Sequence, residues 1–195
     1  MYLLLLCSLT VVAIAIDRFM LYRRASQGAR ALEADVAAAL RKKKLDEIAP
    51  AVKGKDNMVA HLVQSVVDAR AAGEDLPMTV EAVYGEAAML LRARLNYLSM
   101  IVTLAPLLGL LGTISGMIQS FSVFNLQAGQ PMAITGGIGE ALVATATGLL
   151  VAILALVVHT YFAQRMDTML TLLEKTMNTL LAGFAANDGG RSHAS

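Results

Sequence analysis

Between Arg94 and Arg165 the chain carries no lysine or arginine, and Glu140 stands there with no other charge around it. A stretch so long and so apolar has few possible surroundings. A bilayer accepts it, provided the backbone is helical and satisfies its own N–H and C=O groups. Two apolar runs fill it: LNYLSMIVTLAPLLGLLGTISGMIQSFSVF at residues 95–124, and a second from Ile138 to Phe162. Each exceeds the roughly 20 residues that a helical crossing requires. A third run opens the chain as MYLLLLCSLTVVAIAI, pauses at Asp17-Arg18 and resumes as FMLY. Taken to Tyr22, it is ~33 Å long as a helix, enough for a bilayer core. Overall only 16% of residues are charged, against about 25% in soluble domains.

These runs set the expected organisation: spans at 1–22, 96–124 and 138–164, a helical region at 23–95, an uncharged turn at 125–137 and a tail at 165–195. Thirteen of the sixteen Lys and Arg residues fall between 18 and 94, and the other three follow the third span. Basic loops stay in the cytoplasm. The N-terminus and the turn are therefore expected outside, and residues 23–95 and the tail inside. Arg18 is expected to snorkel to the interface beside Asp17. Ala13-Ile14-Ala15 resembles a leader cleavage site, but no basic segment precedes the run, so it reads as a span. Within 23–95, ASQGARALEADVAAALRKKK reads as a helix broken by Pro50 and Gly54. NMVAHLVQSVVDARAA is a second helix, ended by Gly73 and Pro77. TVEAVYGEAAMLLRARLNYLSM carries helical spacing directly into the second span. Arg41-Lys42-Lys43-Lys44 reads as a solvated helix end or as a contact for anionic phospholipid head groups. The expected class is an all-α integral membrane protein with three transmembrane helices and long cytoplasmic helical extensions.

Several functions are excluded. A net charge of +1, without a basic patch interleaved with aromatics, gives no nucleic-acid surface. The lone Cys7 forms no intrachain disulfide and reads as a small buried hydrophobe. His61, His159 and His193 are too scattered for a metal site. With no nucleophile–base pair or phosphate loop, no enzyme and no cofactor are expected.

In the second span, Gly109, Thr113, Gly116 and Ser120 share a face, and Gly112-xxx-Gly116 is the spacing through which membrane helices pack closely. Ala141, Ala144, Gly148, Ala152 and Ala155 make a matching stripe in the third span, with Leu142, Leu149, Ile153 and Leu156 on another face. Such a chain packs on both sides, as in a multi-helix assembly. The polar residues are Thr113 and Ser115 in one span and Glu140, Thr145 and Thr147 in the other. Glu140 and Thr147 share nearly one face, and Thr145 is turned well away. A membrane threonine ordinarily bonds a carbonyl of its own helix. Glu140 has no basic residue in either span to neutralise it, so it is protonated, solvated in a polar cavity, or near the outer interface. Pro106 fits a first-turn or kink role, and His159 an interfacial one.

The paired segments APLLGLLGTISGMIQSF and GGIGEALVATATGLLVAILALVVHTYF resemble the signature of the ExbB/TolQ proton-channel proteins, relatives of the flagellar stator protein MotA. The resemblance implies a homopentameric ring in the bacterial inner membrane. The ring encloses the single-span helices of an ExbD/TolR-type partner, which carries the principal protonatable aspartate, and a TonB- or TolA-like protein completes the system. It implies that Glu140 of I-x-E-A-L, Thr145 of A-T-A-T-G and Thr113 of G-L-L-G-T line the lumen. Thr147 joins them by its position beside Glu140, and Gly109, Gly112, Gly116, Ala144 and Gly148 are the expected packing residues. Some ExbB proteins have a longer periplasmic extension before the first span, and the glutamate in the third span favours ExbB/TolQ over MotA. Two other readings remain: a non-conducting membrane scaffold, and a TolQ-like, gliding or flagellar-type stator.

Overall fold

The computed structural model describes residues 2–42, 48–126 and 131–192, and all secondary structure among them is helical. The helices are α1 (Tyr2–Ser26), α2 (Ala29–Arg41), α3 (Ile48–Val52), α4 (Met58–Ala72), α5 (Leu76–Arg92), α6 (Leu95–Leu126) and α7 (Pro131–Ser192). Lys43 and Lys44 of the basic cluster, and residues 127–130 of the expected turn, lie outside the described residues. The backbone of 131–137, also assigned to that turn by sequence, is helical as the start of α7. Three helical stretches are long and apolar enough to cross a membrane: Tyr2–Arg41, Leu76–Ser122 and Gly136–Ala186.

The chain divides into two compact units, Met1–Arg18 with Arg94–Ala163, and Phe19–Ala93 with Gln164–Ser195. In the first, α1 buries Leu4, Val11, Ile14 and Arg18, a spacing that keeps them on one side of the helix. Leu3, Leu5, Leu6 and Leu9 face outward. Outward apolar residues are what lipid accepts, since hydrocarbon tails solvate leucine as well as a protein interior does.

Arg18 departs from expectation. It is 6% exposed instead of snorkelling, with Nη2 2.8 Å from Asp17 Oδ2. Nε donates to the same oxygen at 2.9 Å. A buried guanidinium is retained only when paired, and the preceding residue supplies the partner. Asp17 also takes Arg94 Nη1 on its other oxygen at 2.7 Å. That second pair bears on another correction: α5 does not run into α6. It stops at Arg92, and Arg94 adopts φ +66° before α6 begins at Leu95. Left-handed backbone at a non-glycine residue costs on the order of 1 kcal/mol or more, so the break needs outside support. The Asp17–Arg94 pair lies at this break.

The second unit has a core of large apolar side chains. Leu32, Val36 and Leu40 of α2, Ile48 and Val52 of α3, and Val59, Leu62, Val63 and Val66 of α4 pack together with Val80 and Ala87 of α5. Leu173, Leu180 and Phe184 from the C-terminal part of α7 complete it. Residues read as a tail are thus a structural part of this core. Asn57 starts α4 by accepting from Ala60 N–H at 2.8 Å, the ordinary role of an N-cap asparagine. Its Nδ2 donates to Gln27 O at 3.1 Å, tying α4 to the segment before α2. Gly73 ends α4 at φ +74°, where glycine escapes the Cβ penalty. Pro50 lies inside α3 instead of breaking the chain; it stands in the first turn, where no helical hydrogen bond from its nitrogen is lost. The Tyr22 hydroxyl donates to Leu91 O at 2.9 Å, capping the last turn of α5. Lys175 Nζ lies 3.1 Å from Glu33 Oε1, and the Arg70 guanidinium stacks 4.2 Å from the Phe184 ring centre.

Leu173 is fully buried and Leu150 is 68% exposed. Leu173→Ala is expected to destabilise the protein by about 2–5 kcal/mol, and Leu150→Ala to change little. Thermal unfolding of the two variants in one detergent, followed by circular dichroism, checks the contrast.

Candidate functional site

Helices α6 and α7 meet along a seam of small residues. A Cβ built on Gly148 would lie 2.6 Å from the Ala105 carbonyl oxygen and 3.0 Å from Gly109 Cα. One on Gly109 would lie 3.1 Å from both the Ala144 oxygen and Thr145 Cα. Further along, Gly112 faces the Ala144 methyl, Gly116 faces Ala141, and a Cβ on Gly137 would fall on Ser120 Oγ. Numbers rise on one helix as they fall on the other, so the pair is antiparallel. The sequence dictates this closeness: with hydrogen or methyl at 105, 109, 112 and 116 on one side and at 137, 141, 144 and 148 on the other, the backbones themselves touch. Dispersion contacts between atoms at van der Waals distance are individually about 0.1–0.2 kcal/mol. Summed along the seam, they supply the association that the hydrophobic effect cannot supply in lipid.

The polar residues distribute around this seam. Thr145 is half-buried, and its hydroxyl crosses to donate to the Gly109 carbonyl at 3.2 Å. Thr113 donates to Leu110 O at 2.7 Å and Thr147 to Val143 O at 2.8 Å, each within its own helix. Ser120 is buried and donates to Gly116 O at 2.7 Å. Glu140 is exposed, between exposed Gly139 and buried Ala141. On an ideal helix Glu140 and Thr147 lie about 20° apart, and Thr145 about 140° from Glu140. The buried positions Ala141, Ala144, Gly148 and Ala152 fall between those directions. Glu140 and Thr147 therefore flank one side of the α7 seam, and Thr145 the other.

The structure brings the five packing glycines and alanines together with Thr145. It gives Glu140 a separate, open flank. Leu142, Leu149, Ile153 and Leu156 are all exposed, pushed outward because the small residues take the inner face. Two seam residues, Ala105 and Gly137, escaped the sequence reading. Their signal was present: Ala105 stands four residues before Gly109, and Gly137 four before Ala141, which continues each stripe by one turn. Among the described residues, no group of three or more His, Cys, Asp and Glu could hold a metal ion.

A helical membrane protein with three spans, two of them joined by a glycine seam and one carrying a lone carboxylate, is the class this geometry defines. The chain matches the MotA/TolQ/ExbB proton channel family over residues 50–175, about two-thirds of its length, and it belongs to that family. An ExbB-like protein of Synechocystis is 42% identical over 44% of this chain and 35% of its own length. Biopolymer transport protein ExbB of Salmonella typhimurium is 38% identical over 37% of this chain and 30% of its own. Tol-Pal system protein TolQ of Pseudomonas aeruginosa is 31% identical over 55% of this chain and 47% of its own. The matched part of the chain thus spans between about a third and a half of these relatives.

Because Gly148 opposes main-chain atoms, Gly148→Ala is expected to force the helices apart and cost about 1–3 kcal/mol. Gly85 of α5 has nothing within 4 Å of its would-be Cβ. Gly85→Ala is expected to be neutral or to stabilise by up to about 1 kcal/mol through helix propensity. Melting temperatures of the two variants in detergent test the pair.

Proposed function

We propose that this chain is the ring-forming subunit of a proton channel in the bacterial inner membrane, and that proton flow through it energises outer-membrane transport or another envelope process. The observation that carries the reading is Glu140: an exposed carboxylate on an apolar helix, without a counter-charge between residues 95 and 164. Ionisable groups in such segments mark ion or proton pathways because of what they cost to keep there. The family match supplies the chemistry, and the seam supplies a rigid wall.

In this reading five copies close a ring, with the N-terminus on the periplasmic side. Glu140 and Thr147 turn to a central lumen together with Thr113 and Thr145, and water held by these groups carries protons to the carboxylate of an ExbD/TolR-type partner. A charged partner carboxylate prefers a polar wall and a neutral one an apolar wall. The difference in interaction free energy between those states is the only source from which a conformational step can be driven. A proton crossing 100 mV releases about 2.3 kcal/mol, enough to bias such a step. A TonB- or TolA-like protein would receive the motion.

Proton uptake into liposomes holding the chain with an ExbD/TolR-type partner tests this, comparing native protein with Glu140→Gln. Partner-dependent flux that falls at least about tenfold, the loss typical of removing a positioned proton-transfer group, is the expected outcome. Flux indifferent to the substitution removes Glu140 from the path. Absence of any partner-dependent flux favours the non-conducting scaffold.

A further inference from the structure

Helix α5 is apolar on two opposite sides. Val80, Ala87 and Leu91 are buried in the second unit. On an ideal helix Met78, Ala82, Gly85 and Met89 fall within about 60° of one another and roughly opposite that buried side. All four are exposed, the two methionines by 73% each. A surface helix ordinarily turns a polar face outward, and a helix apolar on all sides is one that is covered on all sides. Glu81 and Glu86 stand about 70° to either side of the stripe, and both are exposed. Carboxylates so placed are costly against lipid, so the cover that fits this face is protein.

The same unit carries a groove between α2 and the C-terminal part of α7, with a volume of about 710 Å3. Ala37, Leu40, Ala182 and Gly183 line it. The two helices come close there because Gly183 has no side chain: a Cβ on it would stand 2.6 Å from Leu40 Cδ2. Arg41 and Lys175 also line the groove, and Lys42 joins them in the adjoining hollow. Lys175 is paired with Glu33. Arg41 and Lys42 make no ion pair among the described residues, and neither do Glu81 and Glu86. The one acid lining the groove is Glu174, and the stripe ends at a cation, Arg92, one turn beyond Met89.

We propose that the α5 stripe of one copy docks in the α2/α7 groove of a second copy, with Glu81 and Glu86 meeting Arg41 and Lys42. Stripe and groove are different surfaces, so each copy offers one of each. Such head-to-tail contact closes into a ring, whereas a contact between like surfaces joins two copies and stops. Methionine suits the contact because its unbranched side chain adapts to an irregular groove. Ala82 and Gly85 between the methionines keep the face shallow; alanine at 85 matches Ala82 and is accommodated, while a bulky residue is not. Charges along the edges set partner and register more than affinity. The inference rests on the ring reading above, and adds which surfaces meet outside the apolar helices.

The test co-expresses two differently tagged forms of the full chain. One has every lysine replaced by arginine; the other carries Glu81→Gln and Glu86→Gln. After co-purification a spacer-free carbodiimide joins carboxylates to amines, and peptide mass spectrometry reads the links. By construction, any link from Glu81 or Glu86 to a lysine joins two copies. Links to Lys42 or Lys175 are expected. Gly85→Trp in the lysine-free form is expected to lower their yield at least about fivefold, as bulk forced into a packed contact does. The Glu33–Lys175 link within the other form reports that the fold is intact. Links from Glu81 and Glu86 only to Lys53 or Lys55 would overturn the proposal, as would a yield indifferent to Gly85→Trp. Co-purification without any such links, while Glu33 and Lys175 still join, would overturn this contact and leave the ring standing. If the two forms do not co-purify, the ring reading falls and the contact with it. None of these outcomes bears on Glu140, which the flux comparison tests separately.

Discussion

Contact between the backbones of α6 and α7 is the interaction from which the rest of the membrane-type unit follows. Lipid tails offer leucine no less than a protein interior does, so larger apolar side chains gain little by turning inward. What is gained instead is close approach. Gly109 against Gly148, Gly112 against Ala144 and Gly116 against Ala141 let main-chain atoms meet, and density of contact replaces hydrophobic burial. The leucines and isoleucines are then left for the outside, where Leu107, Ile118, Leu142 and Leu150 stand exposed. Glu140 lies between the seam residues Gly137 and Ala141, so its backbone is packed on either side while its side chain stays exposed.

The second unit is built in the opposite manner. Its core is mostly leucine, valine and isoleucine, with alanines and Phe184, drawn from five helices. Charged residues work at its edges, as in Lys175 with Glu33 and Arg70 over Phe184. Glu33 and Phe184 are both buried, so each of these cations closes over the rim of the core from its outer side. Within the membrane-type unit the one strongly charged cluster is Arg18–Asp17–Arg94. It joins the Asp17-Arg18 pause in the first apolar run to the residue that precedes the second, where the backbone is left-handed at Arg94. Charge is thus kept out of the seam and spent where the chain changes direction.

Much of this was legible in the sequence because apolar length and small-residue spacing are local properties. The three long helices and the shared face of Gly109, Gly116 and Ser120 could be read directly, as could the stripe from Ala141 to Ala155. Three features depend on partners distant in sequence and so left no local trace. Arg18 is buried because the fold closes around it, and no pattern near residue 18 distinguishes that from snorkelling. The break at Ala93–Arg94 interrupts an unbroken helical pattern, and the residue that meets the Arg94 side chain there, Asp17, lies far earlier in the chain. Leu173, Leu180 and Phe184 carry helical spacing that fits an exposed amphipathic tail equally well, until α2 and α4 are seen against them. For Thr145 the sequence could say which way it did not face; it could not name Gly109 as its acceptor.

The most direct measurement of the seam is oxidative cross-linking in native membranes of Gly116→Cys paired with Ala141→Cys, on a Cys7→Ser background. A Cβ built on Gly116 lies 3.1 Å from Ala141 Cβ, close to the roughly 3.5–4.5 Å that a disulfide spans, so a few tenths of an ångström of adjustment permits the bond. If α6 and α7 meet as described, this pair forms an intramolecular disulfide readily, and Ile118→Cys with Ala141→Cys, starting from an outward-facing isoleucine, does not. Equal cross-linking of both pairs, or none in the first, would contradict the seam and with it the placement of Glu140 on an open flank.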